Sequence, residues 1–211
     1  SEGYPPLAKS AEATSFNTCR LEAWLTHSST GRARGLLRRR IKFAAEGKFD
    51  GLIAVGGGSS MDTAKAANLY STYPADFMIY VNPPIGEGKP VPGPLKPLVA
   101  VPTTAGTGSE TTGVAIFDYL EMNAKTGIAH RALRPIKGIV DPNNTRSVPK
   151  MVAACTGLDQ LTHALESLTA LPYDRRPAPE HPKFRPAYQG SNPISHIWAS
   201  RALEIISQNL V

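Results

Sequence analysis

The chain has 211 residues, 41% hydrophobic and 19% charged, which excludes disorder throughout and leaves room for one large domain, or one domain and part of a second. Its formal net charge of +6 invites a nucleic-acid partner, but much of the excess sits in GRARGLLRRRIK, residues 31 to 42, so one local patch accounts for it. The two cysteines, Cys19 and Cys155, lack any CxxC or ligand-like spacing, and no stretch approaches the roughly 20 apolar residues of a membrane span.

These features predict a soluble protein of a reducing compartment, and no charged start followed by an apolar core reads as a secretory signal. A chain that opens at Ser1 rather than methionine is expected to be a processed product, a fragment or an incomplete gene model. Residues 1–40 are rich in Ser, Thr, Ala and Arg without a sustained period, which predicts a divergent, weakly structured segment.

Order is expected to begin at FDGLIAVGGGSSMDTAKAANLY. The apolar run Leu52 to Val55 predicts a strand, the glycines a tight turn, and the pattern from Ser60 through Ala64, Ala67 and Leu69 a helix. The Pro-rich stretch from Pro83 to Pro97 predicts a loop. KPLVAVPTTAGTGSE repeats the first theme, with a buried strand over Leu98 to Val101 opening into a loop of glycine and small hydroxyl residues, and GVAIFDY and KGIVDP add short β-rich runs.

From Val148 the composition becomes helical. SVPKMVAACTGLDQLTHALESLTA carries apolar residues at helical spacing with Pro149 suited to the first turn. A long Pro-rich loop follows, and NPISHIWASRALEIISQNL reads as a helix with Asn192 as N-cap, Pro193 at the first position, and Ile194, Ile197, Trp198, Ala202, Ile205 and Ile206 along one face. The expected organisation is therefore an α/β domain over 41–147 and the beginning of an all-helical domain over 148–211.

Three places carry chemistry. AVGGGSS between a strand and a helix suits an anion, because glycine lets backbone N–H groups approach it and the helix N-terminus supplies partial positive charge. The run matches neither GxGxxG nor GxxxxGK[ST], and a tight turn with nothing bound is the alternative. PTTAGTGSE, residues 102 to 110, offers several hydroxyls without bulk, suited to a ribose, a phosphate or an amide, though structural turns use the same residues. Each loop follows a strand, and ligands of open α/β sheets bind beyond the carboxyl ends of strands.

The third place is GLDQLTHALES, where Asp159 and His163 stand four residues apart. On a helix that spacing puts both on one face, able to offer a carboxylate oxygen and an imidazole nitrogen to one divalent iron or zinc ion. The alternative is a capping aspartate and a core histidine. His27, His130, His181 and His196 form no spaced motif.

The succession GGGSSMD, PTTAGTGSETT, IVDP and GLDQLTHALES resembles the iron-containing (group III) alcohol dehydrogenase family, over about residues 43 to 211. AANLY, GSETTGVAIFDY and LPY with RPAYQGSNPIS are similar to its mitochondrial hydroxyacid-oxoacid transhydrogenase branch. The resemblance implies a Rossmann-like domain, here incomplete, that binds NAD(P), and an all-helical domain that binds Fe2+ or another divalent metal, with the active site between them. It implies that Gly56, Gly57, Gly58 and Ser59 hold the pyrophosphate, that Asp62 closes the turn, that Thr103, Thr104, Thr107 and Ser109 line the path to the nicotinamide, and that Lys125 contacts the cofactor, next to an atypical Thr126. Asp159 and His163 match the family's first two metal ligands.

The reaction so implied is hydride transfer between a hydroxyacid or alcohol and the nicotinamide or an oxoacid, with 4-hydroxybutyrate and 2-oxoglutarate as the branch's pair. Small acidic substrates make Arg175, Arg176 and Arg185 candidate contacts. No nucleic-acid or membrane partner is expected, a mitochondrial location is implied, and a homo-oligomer is left open. The family's first βα unit is not recognisable in residues 1–40, and its remaining two metal-ligand histidines lie on later helices. A catalytically silent truncated homologue lacking half of the metal site is therefore the alternative reading. The basic patch is expected to be a solvated face or a presequence remnant.

Overall fold

The structure, a computed structural model, describes residues 33–182, 185 and 188–210. The weak structure expected for residues 1–32, and Cys19 and His27 with it, lies outside the described residues.

Helix α1 spans Ala33–Gly47 and so begins inside the stretch expected to lack structure. The reason is a stripe that the arginines obscure: Leu37 and Ala44 are buried and Ile41 lies between them at helical spacing, while Arg38 and Arg39 point to solvent. Arg38 and Arg39 of the basic patch thus lie on the outer face of a packed helix, laid against α2, Gly58–Thr72.

Strand β1, Leu52–Gly56, pairs in parallel with β2, Leu98–Pro102, and β2 pairs in parallel with the short β5, Lys137–Gly138, giving the sheet order β1-β2-β5. Parallel neighbours need a crossover, and α2 lies in it. The register sets Leu52 beside Leu98 and Gly56 beside Pro102, so both strands end level and their loops leave the same edge of the sheet. The amide of Thr103 donates to the Gly56 carbonyl at 3.0 Å, extending the ladder one step into the hydroxyl loop.

A hairpin of β3, Val114–Tyr119, and β4, Ala124–Ala129, packs on α2. One apolar cluster joins Leu69 and Tyr70 of α2 to Val81, Val91, Ala115, Ile128 and Leu133, and a second joins Ala54, Met61, Leu98 and Ala100 under the sheet. The Pro-rich stretch forms the expected loop, tied to α2 by Asn68, whose side-chain amide donates to the Lys96 carbonyl at 2.8 Å.

Helices α3, Lys150–Thr169, and α4, Pro193–Asn209, pack on each other. The Asn192 cap is as expected, its carboxamide oxygen accepting from the amides of Ile194 and Ser195 at 3.0 Å each while Ser195 Oγ accepts from the Asn192 amide at 2.9 Å. The buried side of α4 differs from expectation. Ala199 is buried and Ala202, Leu203 and Ile206 are half-buried, whereas Ile194, Ile197 and Trp198 are 69%, 68% and 71% exposed. Small residues set this seam: Ala164 is the buried residue of α3, and a Cβ on Gly157 would lie 2.7 Å from Leu210 Cδ1.

Candidate active site

The site is built from the two loops that leave β1 and β2. Gly57 caps α2 with backbone alone, its carbonyl accepting from the amides of Ser60 at 3.1 Å and Met61 at 3.2 Å, and no side chain caps the helix. The start of α2 is therefore an anion-seeking end of the kind that a pyrophosphate suits. Gly56 adopts φ 152, where a Cβ would also fall 2.6 Å from Ser60 Oγ. Only glycine fits there.

The hydroxyl loop lies directly against this turn. A Cβ on Gly57 would stand 3.3 Å from Thr104 Oγ1, and one on Gly58 would stand 2.6 Å from Thr107 Cγ2. The structure thus brings Gly56, Gly57, Gly58, Ser59, Thr103, Thr104 and Thr107 to one edge, with Ser59 and Thr107 exposed.

Asp62 and Ser109 sit elsewhere than expected. Asp62 does not close the glycine turn: its Oδ2 accepts from the Ile116 amide of β3 at 3.0 Å, and its Oδ1 accepts from Ser109 Oγ at 2.5 Å. Asp62 lies more than a turn into α2, so its side chain projects toward the hairpin rather than over the helix start. Ser109 is buried and accepts from Lys65 Nζ at 2.7 Å. Lys65 itself is fully buried, and its ammonium also donates to Thr112 Oγ1 at 3.2 Å, the Val114 carbonyl at 2.7 Å and Asp62 Oδ1 at 3.3 Å. Burial pushes the Lys65 pKa down, and the opposing pull comes from Asp62 and then Glu110. The one available signal for this residue was a lysine placed three positions after an aspartate within an alanine-rich helix.

The other side of the loop meets α3. The Gln160 carboxamide donates to the Ala105 carbonyl, and a Cβ on Gly106 would lie 3.0 Å from both Asp159 Oδ2 and Thr156 Cβ. Asp159 Oδ1 and His163 Nε2 are 3.7 Å apart, their side chains 37% and 51% exposed. Two ligand atoms each about 2.1 Å from one cation at octahedral or tetrahedral angles stand about 3.0–3.4 Å apart, so a small side-chain rotation lets this pair hold one ion. Among the described residues no group of three or more His, Cys, Asp and Glu gathers to hold a metal.

Lys125 is not brought to the two loops by its backbone position. It is exposed on β4 opposite Asp118, and four residues of strand, about 13 Å, separate Asp118 from Val114, where β3 leaves the Lys65 cluster. Arg175 and Arg176 follow the C-terminal end of α3, which lies about 15 Å of helix axis from Asp159. Arg176 instead stacks over the Tyr188 ring at 5.6 Å, and Arg185 is exposed.

The sequence pattern of the iron-containing alcohol dehydrogenase family matches residues 34–142, which spans α1 through the start of the segment before α3. The chain belongs to this family. It is 63% identical over 172 residues to the mitochondrial hydroxyacid-oxoacid transhydrogenase of Xenopus laevis and 60% identical over 172 residues to that of Homo sapiens. Each match covers 81% of this chain and 37% of the relative; the chain thus spans well under half the length of these curated relatives. Among solved structures, sulfoacetaldehyde reductase from Bifidobacterium kashiwanohense in complex with NAD+ superposes with a TM-score of 0.70 at 28% identity, covering 87% of this chain and 43% of that one. The iron-containing alcohol dehydrogenase from Thermococcus thioreducens gives 0.69 at 28%, covering 88% and 44%. No helix among the described residues is long and apolar enough to cross a membrane.

Proposed function

We propose that this chain forms the dinucleotide site and part of the metal site of a metal-dependent oxidoreductase that transfers a hydride between a small hydroxyacid and a nicotinamide cofactor or oxoacid, as a mitochondrial hydroxyacid-oxoacid transhydrogenase does. The observation that carries the reading is the continuity of the site. Gly57 and Gly58 lie so near Thr104 and Thr107, and Gly106 of the same loop so near Asp159, that a Cβ added at each would stand 3.3, 2.6 and 3.0 Å from them, so a cofactor on the glycine turn and a cation on Asp159 and His163 would share one wall.

The nucleotide-binding part runs to residue 147 and takes in α1, and the metal-binding part begins at 148. The backbone of Gly56 to Ser59 at the start of α2 receives the pyrophosphate, and Thr103, Thr104 and Thr107 line its far side. Asp159 and His163 supply an oxygen and a nitrogen to Fe2+ or another divalent cation. Such a cation, when bound, polarises the alcohol oxygen and eases loss of the carbinol hydrogen as hydride. Asp62 and Ser109 serve the site from behind, through the loop. The mitochondrial relatives support the same location for this protein.

The test is NADH binding by fluorescence and divalent-metal binding by calorimetry on the purified chain, with Gly58→Val and Asp159→Asn. Gly58→Val is expected to abolish NADH binding and spare the metal, and Asp159→Asn to do the reverse. Wild-type protein that binds neither, or a Gly58→Val variant that binds NADH normally, refutes the reading. Steady oxidation of 4-hydroxybutyrate coupled to 2-oxoglutarate reduction removes the silent-homologue alternative.

A further inference from the structure

Lys65 is fully buried, so its ammonium has been taken out of water. Retaining a charge there costs free energy unless it is paired and hydrogen-bonded, and burying one is weak grounds for stability alone. Its partners show where it acts. The two short bonds, 2.7 Å each, go to Ser109 Oγ and the Val114 carbonyl, and the longer ones to Thr112 Oγ1 and Asp62. Three of these groups belong to the segment in which the hydroxyl loop ends and β3 begins, 44 to 49 residues away along the chain.

The loop's near end is held separately, by the Thr103 amide on the Gly56 carbonyl at 3.0 Å. Asp62 completes the far anchor, since its two oxygens take Ser109 Oγ and the Ile116 amide. A loop of small residues has little packing of its own to fix its shape, and ordering it before ligand arrives removes that cost from binding.

We propose that Lys65 is a positioning residue whose ammonium, with Asp62, clamps the far end of the hydroxyl loop onto α2 and thereby fixes Thr104 and Thr107 against the glycine turn. Lys65 does not touch the cofactor. Asp62 and Ser109 belong to this clamp rather than to the cofactor's contact surface. The role assigned to the loop rests on the dinucleotide reading above, whereas the clamp itself rests only on the geometry.

The experiment compares Lys65→Met, Ser109→Ala and Thr112→Val with Leu69→Ala, a control in the same helix that removes core packing without touching the clamp. Amide hydrogen exchange over residues 103–112 and NADH affinity are measured on the full chain at a temperature where each variant is folded. Lys65→Met is expected to speed exchange in that segment and weaken NADH binding, each by about tenfold, with α3 and α4 unaffected. Ser109→Ala and Thr112→Val give smaller changes of the same kind, about threefold, and carry the test if Lys65→Met does not fold. Leu69→Ala lowers the melting temperature and leaves both readouts near wild type. Loop exchange unchanged in the clamp variants overturns the clamp, and faster exchange with unchanged NADH affinity overturns the positioning role. Wild-type protein that fails to bind NADH refutes the dinucleotide reading instead, and the exchange data then still decide the clamp.

Discussion

Gly106→Ala tests the contact between the hydroxyl loop and the metal pair. The added Cβ would lie 3.0 Å from Asp159 Oδ2, 3.0 Å from Thr156 Cβ and 3.2 Å from Thr156 Cγ2, whereas unstrained contacts sit at about 3.5–4.0 Å, so roughly half an ångström must be found. The loop cannot supply it freely, because Gln160 holds the Ala105 carbonyl and Thr103 is bonded to Gly56. The Asp159 side chain, 37% exposed, yields by swinging outward, but Thr156 Cβ is fixed to the α3 backbone, so there the loop and helix must part by a few tenths of an ångström. Relief shared between an exposed side chain and a small backbone shift puts the overpacking cost at about 1–2 kcal/mol, and the lost flexibility of the unfolded glycine offsets about 0.4–1 kcal/mol of it. Net stability should fall by no more than about 1.5 kcal/mol, a melting shift under about 6 °C for a chain of this size. Metal binding should suffer, since displaced support of a ligand typically costs about 10–100-fold in affinity. Calorimetric titration with Zn2+ or anaerobic Fe2+, beside thermal unfolding, separates the two. Unchanged metal affinity, or a loss of affinity that merely follows a large drop in melting temperature, refutes the argument.

Two further outcomes are local. Asn192→Ala removes the acceptor for both the Ile194 and Ser195 amides and is expected to cost about 1 kcal/mol in urea unfolding, at an unchanged m-value. His130 Nδ1 accepts from the Ala132 amide at 3.2 Å, a bond only the unprotonated nitrogen makes, and burial, then Arg131, hold its pKa below the usual 6.5. As pH falls the unfolded chain takes up this proton first, so stability declines as pH drops through 6.5 and levels off below the folded value; thermal unfolding across this range should show a shallower slope in His130→Asn.

What could be read from the sequence was local. The strand, turn and helix around Gly56 to Gly58 follow from glycine placement and a change of period, and the α4 cap follows from an Asn-Pro pair. The four-residue spacing of Asp159 and His163 fixes their common face before any tertiary contact is made. What could not be read depends on partners far along the chain. AKTGIA shows no alternation of its own and becomes β4 because Val114 to Tyr119 pairs with it. The resemblance puts Asp62 at the glycine turn, but its carboxylate accepts from Ser109 Oγ and from the Ile116 amide, 54 residues away. Lys65 carries no mark of burial in its own segment, and three of the oxygens that enclose it come from residues 109 to 114. In α4 the larger apolar residues suggested the packing face, whereas the helices meet along Ala199, Ala164 and Gly157 because small side chains permit the closer approach.

The two halves of the site are held by different forces. Behind the glycine turn and the hydroxyl loop lie a buried ammonium, a carboxylate and two hydroxyls, each bonded to the others or to backbone, so displacing one leaves a desolvated partner and is costly. Asp159 and His163 have no comparable support, being half exposed on one helix. Helix α3 gives them their common face, and the hydroxyl loop meets that helix beside Asp159, at Gly106, and is tied to it by Gln160. Hydride transfer needs the carbon that loses hydrogen and the carbon that accepts it in near contact. On the proposed reading that separation depends on one short loop, anchored at Gly56 on one side and at Lys65 on the other, so rigidity behind the glycine turn would carry through to Asp159.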